Sequence, residues 1–212
     1  MMFSSDMLFN LEEKVKNRLS HHRYSHTIGV KNAAIEIAER CYRGDISEIA
    51  AAALLHDISK EYSVVEQFDM MRKTEIEFSD TDLMSEPVFH SFTAHVVISR
   101  DFPEFATANI LSSVFNHTTG SPKMSLFDEI IFVADYIEEG RKYESCIDVR
   151  TSLYNAFSAS NDEEECIMHL HDATIKALEN TIINLLKNKQ VLNERTVATR
   201  NAFLARAPAP LV

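Results

Sequence analysis

Apolar residues recur every three or four positions along most of this chain, and that spacing predicts a succession of amphipathic helices. Over residues 6–19, Leu8, Leu11, Val15 and Leu19 share one face, and Ser5 or Asp6 stands where a cap belongs. A second stripe over 22–42 (Ile28, Ala34, Ile35, Ala38, Tyr42) stops at Gly44. The third helix, expected over 46–60, is apolar on most sides and therefore central. A shorter helix is expected near 63–72, then a polar loop over 73–87 ending in Glu86-Pro87, then a helix over 88–100. Pro103 is placed to open a helix running to about Asn116. Ser125 with Asp128 forms a capping-box pattern ahead of Ile130, Ile131, Val133, Ala134 and Ile137, and Gly140 ends that helix. Helices near 147–158, 163–187 and 193–206 follow, the middle one opened by the acidic run Asp162–Glu165. The tail Pro208–Val212 is expected to fray. No repeat and no strand-like alternation is evident, so the fold class is all-α.

Composition agrees with long helices joined by short connections, because only 4 glycines and 5 prolines punctuate 212 residues. Hydrophobic residues at 45% and charged residues at 25% are ordinary for a globular chain, and one domain over 1–212, with its core at about 10–205, is expected. A net charge of −11 argues against nucleic acid or an anionic membrane as partner. It also means that a polyphosphate ligand would need a locally positive site. Three scattered cysteines (Cys41, Cys146, Cys166) without C-x-x-C spacing fit a reducing compartment. With no signal-peptide pattern in the first twenty residues and no span-length apolar run, a cytoplasmic location is expected.

The chemistry centres on His56-Asp57, with His26 upstream and His90, His117 and Asp135 downstream, each on or at the end of a helical segment. Four imidazoles and two carboxylates offer the mixed nitrogen and oxygen ligation that divalent first-row metals accept. Asp57 closes a nearly all-apolar segment and Asp135 lies within Ile130–Ile137, and a charge among apolar residues needs a partner. A metal meets that need, and so would buried salt bridges or helix caps. Lys60, one turn after His56, is placed to neutralise a phosphate oxygen. His95 competes with His90 as a ligand candidate, whereas His169 and His171 read as surface residues. A serine-nucleophile mechanism has no Gly-x-Ser-x-Gly elbow to support it.

Five stretches carry a family pattern: Arg23–Val30, Leu54–Lys60, Pro87–His90, Asn116–Gly120 and Ala134–Arg141. With Leu178–Ile182 and Thr199–Asn201, they resemble the HD-domain superfamily of metal phosphohydrolases. More narrowly, they resemble the bacterial HD-domain symmetrical diadenosine tetraphosphate hydrolases. The resemblance implies a helical bundle with a dinuclear centre held by His26, His56, Asp57, His90, His117 and Asp135, with Asp57 bridging. The metals would be two divalent ions, iron by preference, with manganese and cobalt also admitted. It implies cleavage of diadenosine tetraphosphate into two ADP, and Arg23, Lys60, Thr119 and Arg141 as substrate-binding residues.

The expected chemistry is attack of a metal-bridging hydroxide on phosphorus, with Asp57 and Lys60 as catalytic residues. A mononucleotide phosphohydrolase and a non-catalytic metal-binding sensor module are the rival readings, and a homodimer is admitted. Tyr24, Phe92, Phe115 and Tyr136 are the aromatic candidates for stacking on a base. The chain departs from the family at Ser121-Pro122-Lys123, where Arg-Pro-Gly is usual, and at Glu139, where proline is usual. It departs again at Ser91-Phe92, where a small residue and proline are common. Lys123 is expected to replace the missing arginine in part, as a point charge.

Overall fold

A computed structural model describes residues 3–206, and the expectation for the tail beyond 207 lies outside the described residues. Among the described residues there are eleven α-helices and two single-turn 3-10 helices, with no strand, as the apolar spacing predicts. The helices are α1 (Ser5–Lys16), α2 (His21–Cys41), α3 (Ile46–Leu55), α4 (Val64–Met71), α5 (Asp80–Leu83) and α6 (Phe89–Asp101). They continue with α7 (Ala108–Asn116), α8 (Leu126–Ile137), α9 (Glu144–Ala159), α10 (Glu163–Lys187) and α11 (Glu194–Arg206). None of them is long and apolar enough to cross a membrane.

Most helix starts are written in the sequence as a side-chain oxygen that accepts one of the first free backbone N–H groups. Ser4, Ser20, Asp45, Thr107 and Asp162 cap in this way. Ser63, Ser79 and Ser125 form reciprocal capping boxes with Glu66, Asp82 and Asp128. The cap of α1 is therefore Ser4, one or two residues ahead of the expected Ser5 or Asp6.

At the centre α3 packs along α2, with α1 and α7 on its other sides, while α8 lies against α2, α7 and α10. Every residue of α3 from Glu48 to Leu55 is buried. The four alanines Ala50–Ala53 add little bulk on any side, which lets neighbouring helices approach from several directions. The one charge in that stretch, Glu48, is satisfied by the Thr107 hydroxyl and the Asn109 amide at the start of α7.

Three further expectations need correction. α3 ends at Leu55, not at residue 60, and residues 56–62 fold as turns with short-range bonds such as Ile58 N–H to the Leu55 carbonyl and Lys60 N–H to that of Asp57. The stretch expected as one helix from Pro103 is a 3-10 turn (Pro103–Phe105) followed by α7, because Thr107 caps a new start at Ala108. The loop over 73–87 contains α5, tied down by Asp82. That buried carboxylate accepts from Arg195 Nε at 2.9 Å and from Asn193 Nδ2 at 2.9 Å, which fastens the start of α11 to the α5 segment.

Candidate metal centre

Two of the pocket histidines occupy the same place on different helices. His56 is the C-cap of α3 and His117 the C-cap of α7. A helix end leaves carbonyls without partners, and an imidazole N–H can take one of them. His56 Nδ1 donates to the Ala53 carbonyl at 2.7 Å, and His117 Nδ1 donates to the Val114 carbonyl at 2.7 Å. Each bond fixes the ring and its tautomer, so Nε2 presents a lone pair to the pocket. His26 lies inside α2, and its Nδ1 faces the Glu138 carboxylate at 3.1 Å.

The carboxylates converge on these lone pairs. Asp135 Oδ1 is 3.0 Å from His26 Nε2 and 4.0 Å from His56 Nε2. Asp57 is only 3% exposed, and its two oxygens face different imidazoles. Oδ2 lies 3.6 Å from His56 and 3.9 Å from His26, whereas Oδ1 lies 3.2 Å from His90 and 3.7 Å from His117. Two three-residue groups, His26–His56–Asp135 and His56–Asp57–His117, bring all their donor atoms within 4.8 Å of one another. His90 belongs to neither group. Its Nε2 is 3.1 Å from His117 Nε2, and its Nδ1 is 2.8 Å from Lys60 Nζ rather than on a backbone carbonyl. Ser59 holds the residue from below by donating to the His90 carbonyl at 2.7 Å.

The ionisation pattern, His26 apart, is that of a ligand set ready for a cation. Burial drives His56 down to about 4, and burial likewise holds His90 well below the usual imidazole value. Burial alone would raise both carboxylates, but the imidazoles around Asp57, and Arg141 with His26 and His56 beside Asp135, hold them well below the carboxylate range. His26 is the exception: burial, the largest single influence, pulls it down, but the Asp135 and Asp57 carboxylates together give a net rise. Metal binding requires neutral imidazoles and ionised carboxylates. The Nε2 atoms of His26 and His56 are buried and make no hydrogen bond, although buried polar atoms are nearly always paired. Lone pairs facing carboxylate oxygens are reconciled by a cation between them, so the residues present fit divalent metals.

The cations proposed for substrate lie around this cluster. Arg23 donates to Asp57 Oδ2 at 2.7 Å, and Arg141 donates to Asp135 Oδ1 at 2.7 Å and to the Asp135 carbonyl at 3.1 Å. Lys60 donates to the Pro87 carbonyl at 3.2 Å. A cleft of about 900 Å³ meets the cluster at His26 and is also lined by Arg23, Arg141, Lys142 and Tyr143. A second of about 680 Å³ meets it at Asp57 and His90 and is lined by Arg23, Lys60, Thr118, Thr119, Arg141 and the α10–α11 connection. A third, of about 450 Å³, lies beside His117 and Tyr136. Thr119 is nearly closed off and turns its hydroxyl to the Gly120 carbonyl, while Thr118 comes within 3.3 Å of His90 Nε2.

Several side chains stand apart from the cluster or read differently in the fold. His95 packs edge-on against Phe115, away from His90's partners. Phe92 is fully buried against Phe78 and Phe115, and so belongs to the core rather than to a base-stacking surface. Lys123 is exposed and lines none of these three clefts. His171 is half-buried, not a free surface residue, and pairs through Nδ1 with the buried Glu129 at 2.6 Å. Glu138, Ser59, Thr118 and Tyr143 are the residues of the region that sequence reasoning missed.

A helical bundle whose pocket gathers imidazoles and carboxylates, rimmed by arginine and lysine, defines a metal-dependent phosphohydrolase in its chemistry. The HD-domain family profile matches residues 23–140. A protein of Halalkalibacterium halodurans named bis(5'-nucleosyl)-tetraphosphatase, symmetrical, is 35% identical over 194 residues, covering 90% of this chain and 93% of its own. A Bacillus subtilis protein of the same name is 32% identical over 187 residues, covering 88% and 92%. A crystal structure from Clostridium acetobutylicum, described as a predicted HD superfamily hydrolase involved in NAD metabolism, superimposes with a TM-score of 0.80 at 25% identity, over 97% of this chain and 100% of that one. The chain belongs to the HD-domain family.

Proposed function

We propose that this protein hydrolyses dinucleoside tetraphosphates symmetrically, with diadenosine tetraphosphate giving two ADP. The observation that carries this reading is the pair of large clefts that reach the His/Asp cluster, one at His26 and the other at Asp57, His90 and Asp135, and share Arg23 and Arg141. A symmetrical substrate has two nucleoside arms and a central polyphosphate, and this layout gives each arm a cleft and the phosphates the cluster. The names of the relatives at 31–35% identity support the same substrate.

His26, His56, Asp57 and Asp135 would hold one divalent cation, and Asp57, His90 and His117 a second, with Asp57 serving both through its opposed oxygens. Iron(II) is the first candidate, and manganese(II) and cobalt(II) suit the same donors. Bound cations would supply water ionised near neutrality and positive charge on the phosphoryl oxygens. Arg23 and Arg141 steer the phosphate chain across the cluster, offering the guanidinium edges left free by Asp57 and Asp135. Lys60 is at hydrogen-bond distance from His90 and lines the second cleft, where its ammonium meets a non-bridging oxygen. A nucleoside diphosphate leaves as a stable anion, so positioning and charge neutralisation carry most of the catalysis.

The test is a product assay. Protein purified without air, loaded with iron(II) or manganese(II) and given diadenosine tetraphosphate, is expected to yield two equivalents of ADP on anion exchange. ATP plus AMP would move the attacked phosphorus and refute symmetrical cleavage. Metal binding without turnover of any nucleotide would favour the sensor-module reading.

A further inference from the structure

We infer that Glu138, seated in a notch cut by Gly29 and Gly140, is the positioning residue that sets the tautomer and direction of His26 and thereby the affinity of one of the two cation sites. The inference rests on the dinuclear reading above and adds a residue outside the ligand set.

His56 and His117 need no such residue, because each ends a helix and borrows a free carbonyl. His26 cannot do so. It lies within α2, where backbone carbonyls are already accepting intrahelical bonds. A side chain from another helix must supply the acceptor, and Glu138 at the C-cap of α8 does. Its Oε1 lies 3.1 Å from His26 Nδ1, and its Oε2 accepts the Gly140 N–H at 2.6 Å. A carboxylate can only accept, so Glu138 keeps a proton on Nδ1, and a cation between Nε2 and Asp135 would take the place of the second proton and leave Nε2 as the ligand atom.

The surroundings are shaped for this carboxylate. Glu138 is 4% exposed, and its carbonyl is held by Arg150 Nη2 and the Arg141 N–H. A β-carbon on Gly29 would collide with Glu138 Oε2, and one on Gly140 would lie 2.8 Å from both carboxylate oxygens. Gly29 falls one turn after His26 inside a helix, where glycine is unfavourable by about 1 kcal/mol relative to alanine. Two of the chain's 4 glycines thus make room for a single side chain. A charged acceptor also raises the basicity of the ligand nitrogen more than a carbonyl does.

The experiment titrates metal-free protein with manganese(II), following free ion by electron paramagnetic resonance, alongside thermal unfolding of the metal-free form. Glu138→Gln keeps volume and one acceptor oxygen but loses the charge, and Gly29→Ala displaces the carboxylate without altering it. Each variant is expected to weaken one binding phase by about 10–100-fold while leaving the other unchanged. In a His26→Ala background Glu138→Gln should have no further effect on binding, since its partner is gone. Unchanged affinity at both sites in Glu138→Gln and Gly29→Ala would overturn the inference. So would a loss that persists undiminished in the His26→Ala background, or one confined to the melting of metal-free protein. Wild-type protein that binds no metal would sink this inference and the dinuclear reading together. Metal binding without diadenosine tetraphosphate cleavage would sink only the substrate.

Discussion

Stripping the metals should lower the melting temperature by an amount the ligand layout makes large. The six ligand candidates come from α2, the end of α3, α6, the end of α7 and α8, so each bound cation would tie three elements, and the two together five, that the unfolded chain leaves apart. With free cation at a hundred times the dissociation constant, one site adds about 2.7 kcal/mol to the folded state and two add about 5 kcal/mol. In a chain of this size each kcal/mol moves the midpoint by about 2–4 °C, so two sites predict a rise of about 10–20 °C and one site about 5–10 °C. Scanning calorimetry after dialysis against chelator, then with added manganese(II), measures it. Asp57→Asn should abolish most of the rise, because the oxygens of Asp57 face His56 and His26 on one side and His90 and His117 on the other. His90→Ala should leave about half of it. A wild-type rise below about 3 °C, or a full rise in Asp57→Asn, would refute the shared-ligand geometry.

Two further outcomes follow from the walls of the site. Gly120 has φ 71°, and a β-carbon there would lie 2.7 Å from the Thr199 methyl on α11, so Gly120→Ala should destabilise by about 1–3 kcal/mol in urea unfolding. Burial alone would raise the Asp82 pKa, but Arg195 foremost, with Asn193 and the Ser79 N–H, holds it below the usual carboxylate value. A depressed folded value means stabilisation that is whole above the unfolded value of 3.8 and lost as pH falls through the folded one. Asp82→Asn should therefore be less stable by about 1.5–3 kcal/mol at pH 7, with the gap to wild type closing below about pH 4 in urea titrations.

The helices were legible where a capping side chain sits ahead of an apolar stripe, as at Ser63, Ser125 and Asp162, because both signals are local. The end of α3 was not. Ile58 continues the apolar pattern past His56, and what stops the helix is a turn of short-range bonds that places Ser59 under the His90 carbonyl. That contact joins positions far apart in sequence. His171 looked like a surface residue for the same reason, since its partner Glu129 lies on another helix and reads as one acid in an apolar run. Glu138 was passed over although a signal existed. A glycine inside an otherwise helical stripe, as at Gly29, marks close approach by another group, and Gly140 marks it again.

The departures from the family pattern acquire meaning once they are placed in the fold. In Glu138-Glu139-Gly140-Arg141 the residues that touch the site are Glu138, Gly140 and Arg141, through His26, the carboxylate notch and Asp135. The altered position, Glu139, is exposed, so proline's absence there removes no contact to the cluster. Pro122 and Lys123 are likewise exposed, and Lys123 lines none of the three clefts, which removes the ground for casting it as a substitute arginine. Phe92, where proline is common, lies on α6, the helix that carries His90, and packs its ring at a tilt against Phe78 and Phe115. The changes therefore fall on solvent, on core packing and, at Glu139, on the wall of the first cleft, whereas the positive charge beside the cluster, in a chain of net charge −11, stays concentrated at Arg23, Lys60 and Arg141. The two clefts differ in chemistry beyond those cations: the exposed ring of Tyr143 lines the first, and the α10–α11 connection pinned through Asp82 and Arg195 lines the second.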